Sequence, residues 1–233
     1  MIHKSKNNKA VLLTNPWLKR IGLFLLLFSV SHSIFAHDVI KDLESMSNTE
    51  TAALYLNLGY RHILPLGYDH ILFVLSLFLL SPKLKPVLWQ SLAFTVAHSV
   101  TLGLAMYNVI KPSAKIVEPI IAISIMYVAL ENIFSPRLKA SRIAVVFCFG
   151  LVHGMGFASA LSSLRLPSNS YLASLVMFNV GVELGQLTLI VTAYLLLAKW
   201  FGTKPYYRKY IVIPLSAIIA AVALYWVIQR TLF

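Results

Sequence analysis

The sequence predicts an all-α polytopic membrane protein, with six transmembrane helices following an N-terminal signal peptide. Three observations carry that expectation. The 233 residues are 58% hydrophobic and 12% charged, against roughly 45–50% and about 25% in soluble domains, and the mean hydropathy is +0.77. Six apolar runs, at about 62–80, 87–106, 116–134, 143–164, 171–198 and 210–229, approach the length that spans a bilayer. Basic residues gather in alternate breaks between the runs, as topology signals do.

From the N-terminus, residues 1–20 are polar and basic (Lys4, Lys6, Lys9, Lys19, Arg20), and Ile21 to Ala36 is a short apolar run ending in a small residue. That pattern reads as a signal peptide, residues 1–36, cleaved after Ala36, with an uncleaved anchor as the alternative. Residues 37–60 form a polar segment carrying Asp38, Asp42, Glu44 and Glu50, expected on the periplasmic side. Residues 61–233 hold the six spans. Their breaks are marked by Ser81-Pro82 with Pro86, Lys111-Pro112, Ser135-Pro136, Pro167-Ser168-Asn169 and Lys204-Pro205. None is long enough for a separate soluble domain.

With residues 37–60 outside, the inner breaks hold nine basic residues, among them Lys83, Arg137, Arg142 and Arg208. The outer breaks and C-terminus hold four: Lys111, Lys115, Arg165 and Arg230. The expected location is the bacterial cytoplasmic membrane, with lipid as the surrounding partner and the mature N-terminus periplasmic. Much of the net charge of +12 is then a topology signal, and nucleic acid drops out as a partner. The lone Cys148 excludes an intrachain disulfide framework and a thiolate metal cluster.

Four acids, Asp69, Glu118, Glu131 and Glu183, lie inside or at the ends of apolar runs, and no break after residue 50 contains an acid. His70, His98 and His153 are also within runs. An ionisable group at a helix centre costs about 2.5–3.5 kcal/mol or more on insertion scales, so such groups face a cavity and a partner. Counted along their spans at a 1.5 Å rise, His70, His98, His153 and Glu183 fall in a layer about 6 Å thick on four different helices. His62 and Asp69, seven apart, are expected to share one helical face, with Pro65 kinking the span between them. Thr95, His98 and Thr101 form a ladder, and Asn179, Glu183 and Gln186 a stripe. Gly67, Gly103, Gly150, Gly154, Gly156, Gly181 and Gly185 allow close helix approach beside these positions. Glu131 is expected to make a rim ion pair with Arg137. Glu118, just before Pro119, suits either a helix N-terminus or the site. A short echo, Phe94-x-Val96-Ala97 and Phe178-x-Val180-Gly181, is what two three-span repeats of opposite topology would leave.

Imidazole with carboxylate and no thiolate suits Ni²⁺, Co²⁺, Zn²⁺ or Cu²⁺, and no organic cofactor is expected. The metal candidates are His70, His98, His153, Asp69 and Glu183. His62, His37 (a chelating N-terminus if the signal is cleaved), Glu118, Asn179 and Gln186 are further candidates. These residue types leave transport, sensing and static binding open, and polar glue between helices is the plain alternative. An intramembrane hydrolase is the competing class. The chain lacks His-Glu-x-x-His, and neither Ser159 nor Ser162 sits in a Gly-x-Ser string. A three-His zinc site with a free position for water remains chemically possible, as does a bis-His haem.

The stretch Arg61-His62-Ile63-Leu64-Pro65-Leu66-Gly67-Tyr68-Asp69-His70 resembles the first-helix His…Asp-His signature of the HupE/UreJ membrane proteins. The runs Phe94-Thr95-Val96-Ala97-His98-Ser99 and Phe149 to Phe157 are similar to that family's second- and fourth-helix motifs, and Glu183 falls where the family places a fifth-helix carboxylate. The resemblance covers about residues 37–230. It implies a secondary nickel or cobalt permease, with a signal and six further spans, serving metalloenzyme-maturation or metal-delivery proteins. Where the fourth-helix motif carries a Glu shortly after His-Gly, this chain has Phe157-Ala158-Ser159.

Overall fold

The computed structural model describes residues 46–135, 137–162 and 171–232. The signal peptide expected at 1–36 and His37 lie outside them. Every regular element among the described residues is helical.

Helix α1 spans Asn48–Ile63 and begins at a capping box: Glu50 N donates to the Ser47 hydroxyl, and Ser47 N donates to the Glu50 carboxylate. Much of the segment expected to be merely polar is therefore helix. The chain then breaks at Leu64–Gly67, and α2 runs Tyr68–Leu80 at 66° to α1. One kinked span was expected here, and two helices are found. Pro65 lacks the N–H that a continuing helix needs and crowds the preceding turn.

Five further helices follow. Helix α3 is Leu84–Met106, α4 is Ala114–Phe134 and α5 is Arg142–Ser162. Helix α6 starts at Tyr171 and continues through a π-helical turn, Tyr194–Ala198, to Phe201. Helix α7 opens with a π-helical turn, Arg208–Val212, and runs to Leu232. Helices α3, α4, α6 and α7 are each long and apolar enough to cross a bilayer, and the bent α1–α2 pair makes a fifth candidate. Along α3, Trp89, Leu92, Val96, Val100 and Leu104 are exposed while Val87, Phe94, Ala97 and Leu102 are buried. A helix apolar on both its core and its outer face belongs in lipid.

The helices pack as three close pairs, α3 with α5, α1 with α6 and α4 with α7, and α2 lies against α4, α6 and α7. A side chain at Gly59 would run into the Phe178 carbonyl, and one at Gly181 into the Leu56 carbonyl, so α1 and α6 touch backbone to backbone. On the other seam, a Cβ at Gly150 would lie 2.6 Å from the Phe94 oxygen. Gly154 faces His98 as Gly150 faces Phe94, so α3 and α5 are parallel. Gly59 faces Phe178 and Ile63 faces Gly185, so α1 and α6 are parallel too. Helices α3 and α6 run antiparallel, since Thr95 bonds Glu183 and Ser91 bonds Gln186.

These registers describe two halves of opposite direction. Exchanging α1, α3 and α4 with α5, α6 and α7 returns the same three pairs, and Gly59 on Phe178 becomes Gly150 on Phe94. The short sequence echo around Phe94 and Phe178 marks this inverted repeat. It matches His62 with His153.

At the end of the bundle where α3 and α5 begin, Arg142 is 1% exposed. Its guanidinium donates to Gln90 Oε1 at 3.1 Å, Glu131 Oε2 at 2.9 Å, Asn132 Oδ1 at 3.1 Å and the Ser76 carbonyl at 3.4 Å. Asn132 in turn donates to Ser76 O and to the Ser216 hydroxyl. The partner of Glu131 is thus Arg142 and not Arg137. Arg142 opens α5 on its inner face, where a guanidinium must find acceptors for its donors.

Candidate functional site

The break after Ile63 builds the site. It folds the chain so closely that a side chain at Gly67 would meet the His62 carbonyl, and this stacks the last turn of α1 on the first turn of α2. The His62 and His70 rings come to 4.6 Å between centroids. His98, from the middle of α3, stands 6.0 Å from His62 and 5.8 Å from His70. One nitrogen from each of His62, His70 and His98 lies within 4.8 Å of the other two.

His153 of α5 extends the cluster, its ring 5.2 Å from that of His70. Its Nε2 is 2.9 Å from the Ser124 hydroxyl, which gives its own proton to the Ile121 carbonyl at 2.7 Å. Nε2 is then the donor of that pair and Nδ1 carries the free lone pair. The Nε2 atoms of His62 and His70, both nitrogens of His98 and Nδ1 of His153 are buried without a hydrogen-bond partner. Buried polar atoms nearly always have partners. Five such nitrogens converging from four helices form a donor set that fits a borderline-soft divalent cation.

A cavity of about 770 Å³ leads to this cluster, with His62, His70 and His153 on its wall. Arg61, Asp69, Glu118 and Arg230 also line it. Arg230, in the last turn of α7, bonds both Asp69 oxygens at 3.0 and 3.1 Å and donates to the Glu118 carbonyl at 3.2 Å. Its guanidinium also lies 5.2 Å from the Trp226 ring. Asp69 therefore faces Arg230 at the cavity rim and does not share a face with His62, because the break at Pro65 places the two on separate helices. Glu118 is exposed on the same rim.

The remaining described candidates lie along the seam between α3 and α6. Asn179 is in side-chain contact with His98, and its Oδ1 has no hydrogen-bond partner. Glu183 and the Thr95 hydroxyl are 2.6 Å apart, and Ser91 bonds Gln186. The Asn179–Glu183–Gln186 stripe therefore faces α3 along its length. Glu183 is not among the residues gathered around His62, His70 and His98.

Three contributors were not singled out from sequence. Ser124 fixes the His153 ring. Phe157 lies 3.8 Å from His62 and stacks on Phe178, so a wall of aromatic rings occupies the place of the motif's Glu. Arg230 had counted only as an outer charge, although a lone cation ending an apolar run was a signal that it had a partner.

A family model described as HupE / UreJ protein matches residues 36–230. No curated protein and no solved structure matches the chain. The match takes in the broken first span, both glycine seams and all four histidines of the cluster, and the chain belongs to the HupE/UreJ family of membrane proteins.

Proposed function

We propose that the protein is a secondary transporter for a divalent transition-metal cation, nickel or cobalt, which enters from the 770 Å³ cavity and is held by His62, His70 and His98. The observation that carries this reading is the trio of ring nitrogens within 4.8 Å of one another. His153 stands next to it as a fourth nitrogen donor. The family association supplies nickel and cobalt, since nitrogen donors alone would also accept zinc or copper.

In this reading α5 is the fourth of six spans and the N-terminal segment is a cleaved signal. The chain is read in the cytoplasmic membrane, and the nine-to-four bias of basic residues supports an orientation with its N-terminus and the cavity on the periplasmic side. The ion would be released inside to metal-delivery or metalloenzyme-maturation proteins. Hydrolysis at a three-His zinc site fits less well, because Asp69, the carboxylate next to His70 in the chain, is engaged by Arg230.

Elemental analysis of purified protein, with Ni²⁺ or Co²⁺ flux into liposomes, tests the proposal. The unaltered protein should retain metal and pass it without turning over lipid or peptide. His62→Ala, His70→Ala and His98→Ala should each lose the bound metal while still inserting in the membrane. Full metal content in all three variants would make the cluster helix glue and defeat the reading.

A further inference from the structure

The cavity that leads to the histidines is larger than a hydrated ion requires. Six waters around a divalent cation fill about 180 Å³, at roughly 30 Å³ each, whereas the cavity holds about 770 Å³. Pockets for small organic ligands span about 300–1,000 Å³, with mostly apolar walls and a few fixed polar points. This cavity has that make-up: Leu58, Leu66, Ile121 and Trp226 supply apolar wall between the charged groups.

The charges of the lining cancel. It carries two cations, Arg61 and Arg230, and two anions, Asp69 and Glu118. Imidazoles ligate a metal in their neutral form, so the cluster adds no negative charge. A bare divalent ion would bring two uncompensated charges into the span region, where charge without a partner is costly. An ion already held by anionic donors brings none.

Two features of the wall are suited to a carboxylate. Arg61 is exposed and makes no ion pair among the described residues, whereas Arg230 is taken up by Asp69. Helix α2 begins on the wall with Gly67, Tyr68, Asp69 and His70, and no side chain caps its first turn. The first N–H groups of a helix lack carbonyl partners and attract anions. In membrane transporters, broken helices present such ends to anionic substrate groups. In the same turn stands His70, 6% exposed, whose Nε2 is unpartnered. A place for a carboxylate and a ligand for a metal thus share one helical turn.

We propose that the metal is received as a complex with a small α-amino carboxylate, whose two-to-one complexes with a divalent ion are neutral, and not as the bare hydrated ion. The idea rests on the histidine trio being the metal site. The carboxylate docks on Arg61 and the first turn of α2 while His62 and His70 take coordination positions on the metal. Nickel and cobalt accept mixed nitrogen and oxygen donors, so the chelator can stay bound while the imidazoles arrive.

Co²⁺ with radiolabelled glycine is the probe, in equilibrium binding to the full chain in detergent. Binding of the bare ion depends only on free Co²⁺ activity, so that activity is held equal with and without glycine. Glycine should lower the half-saturating free Co²⁺ by at least about tenfold, and the label should stay with the protein in proportion to the metal. Ethylenediamine, which chelates through two amines and leaves the complex dicationic, should give no gain. Arg61→Gln should shrink the gain to within about threefold, and Arg61→Lys should retain part of it. An unchanged half-saturation point with no label retained would overturn the proposal and leave the histidine site standing. An equal gain with ethylenediamine, or a full gain in Arg61→Gln, would overturn it as well. If the protein holds no Co²⁺ in any of these forms, the histidine reading itself fails and this one with it.

Discussion

Two regions of the helix bundle treat buried polar groups in opposite ways. Around Arg142, the guanidinium, Glu131, Gln90, Asn132 and the Ser76 carbonyl are joined in one network that ties α2, α3, α4 and α5 together, and Ser216 adds α7. Around His98, five ring nitrogens are buried with no hydrogen-bond partner. Both clusters stand in apolar surroundings, and both would cost free energy if left uncompensated. The first is compensated by the fold itself and so acts as a fastener. The second is left uncompensated by the chain, which is the condition the proposed metal site requires. Saturation, more than the mere presence of polar residues in a span, separates structure from function here.

The sharpest way to break this contrast is to remove one side chain from each cluster. Arg142→Leu strands Glu131, Gln90 and Asn132 and should destabilise the protein by about 3–5 kcal/mol, the cost of removing one partner of a buried ion pair. His98→Leu removes two unpartnered nitrogens and should leave thermal unfolding in detergent unchanged or shifted upward. Equal losses in the two variants would mean that the histidines are fasteners as well.

Metal affinity should show the reverse order. His70→Ala removes a ligand and should weaken Co²⁺ or Ni²⁺ binding by more than the roughly 10–100-fold lost when a residue that only orients a ligand is changed. Ser124→Ala, which frees the His153 ring, should fall within that smaller range, and Arg142→Lys should retain the affinity of whatever fraction folds. Equilibrium dialysis of the three proteins orders them directly.

Gly154→Ala tests the support beneath the site. The new methyl would meet the His98 carbonyl and the Thr101 hydroxyl, and Thr101 already bonds the Leu151 carbonyl at 2.7 Å. Overpacking of this kind costs about 1–3 kcal/mol. Because it displaces α5 from α3, thermal stability and metal affinity should fall together.

The smallest effect belongs to the cavity rim. Asp69 and Arg230 are both partly exposed, and partly solvated pairs contribute about 1 kcal/mol or less. Asp69→Asn should shift the unfolding temperature little and leave bound metal in place. Loss of the metal in that variant would return Asp69 to the ligand set and blur the boundary between rim and cluster.

Much of the fold was legible in the sequence because lipid imposes a simple rule of long apolar runs with polar breaks. Counting along a constant rise put His98 and His153 at one level, but the count for His70 ran through the break at Pro65, so only the structure places it beside them. Azimuth was not legible. On helices apolar all round, no stripe indicates which side faces inward, so Glu183 could be assigned a level but not a side of α3. The course of the chain at Pro65 was equally hidden, because a proline within a span can kink it or end it, and the packing of α1 on α6 decides which. Arg142 read as a loop charge because its acceptors, Ser76, Gln90 and Asn132, are spread over three other helices and leave no local pattern.

The two glycine seams have a mechanical consequence. Where backbones touch, as at Gly59 on Phe178 and Gly150 on Phe94, sliding meets carbonyls directly, so α1 with α6 and α3 with α5 each behave as a stiff slab. Between the slabs, α3 and α6 meet through side chains that can exchange partners. His62 and Glu183 ride on one slab, while Thr95, His98 and His153 ride on the other. An ion gripped by His62 and His98 together is a clasp across that joint, and the spacing of those two rings, 6.0 Å here, is the gauge on which any rocking of the slabs would be read.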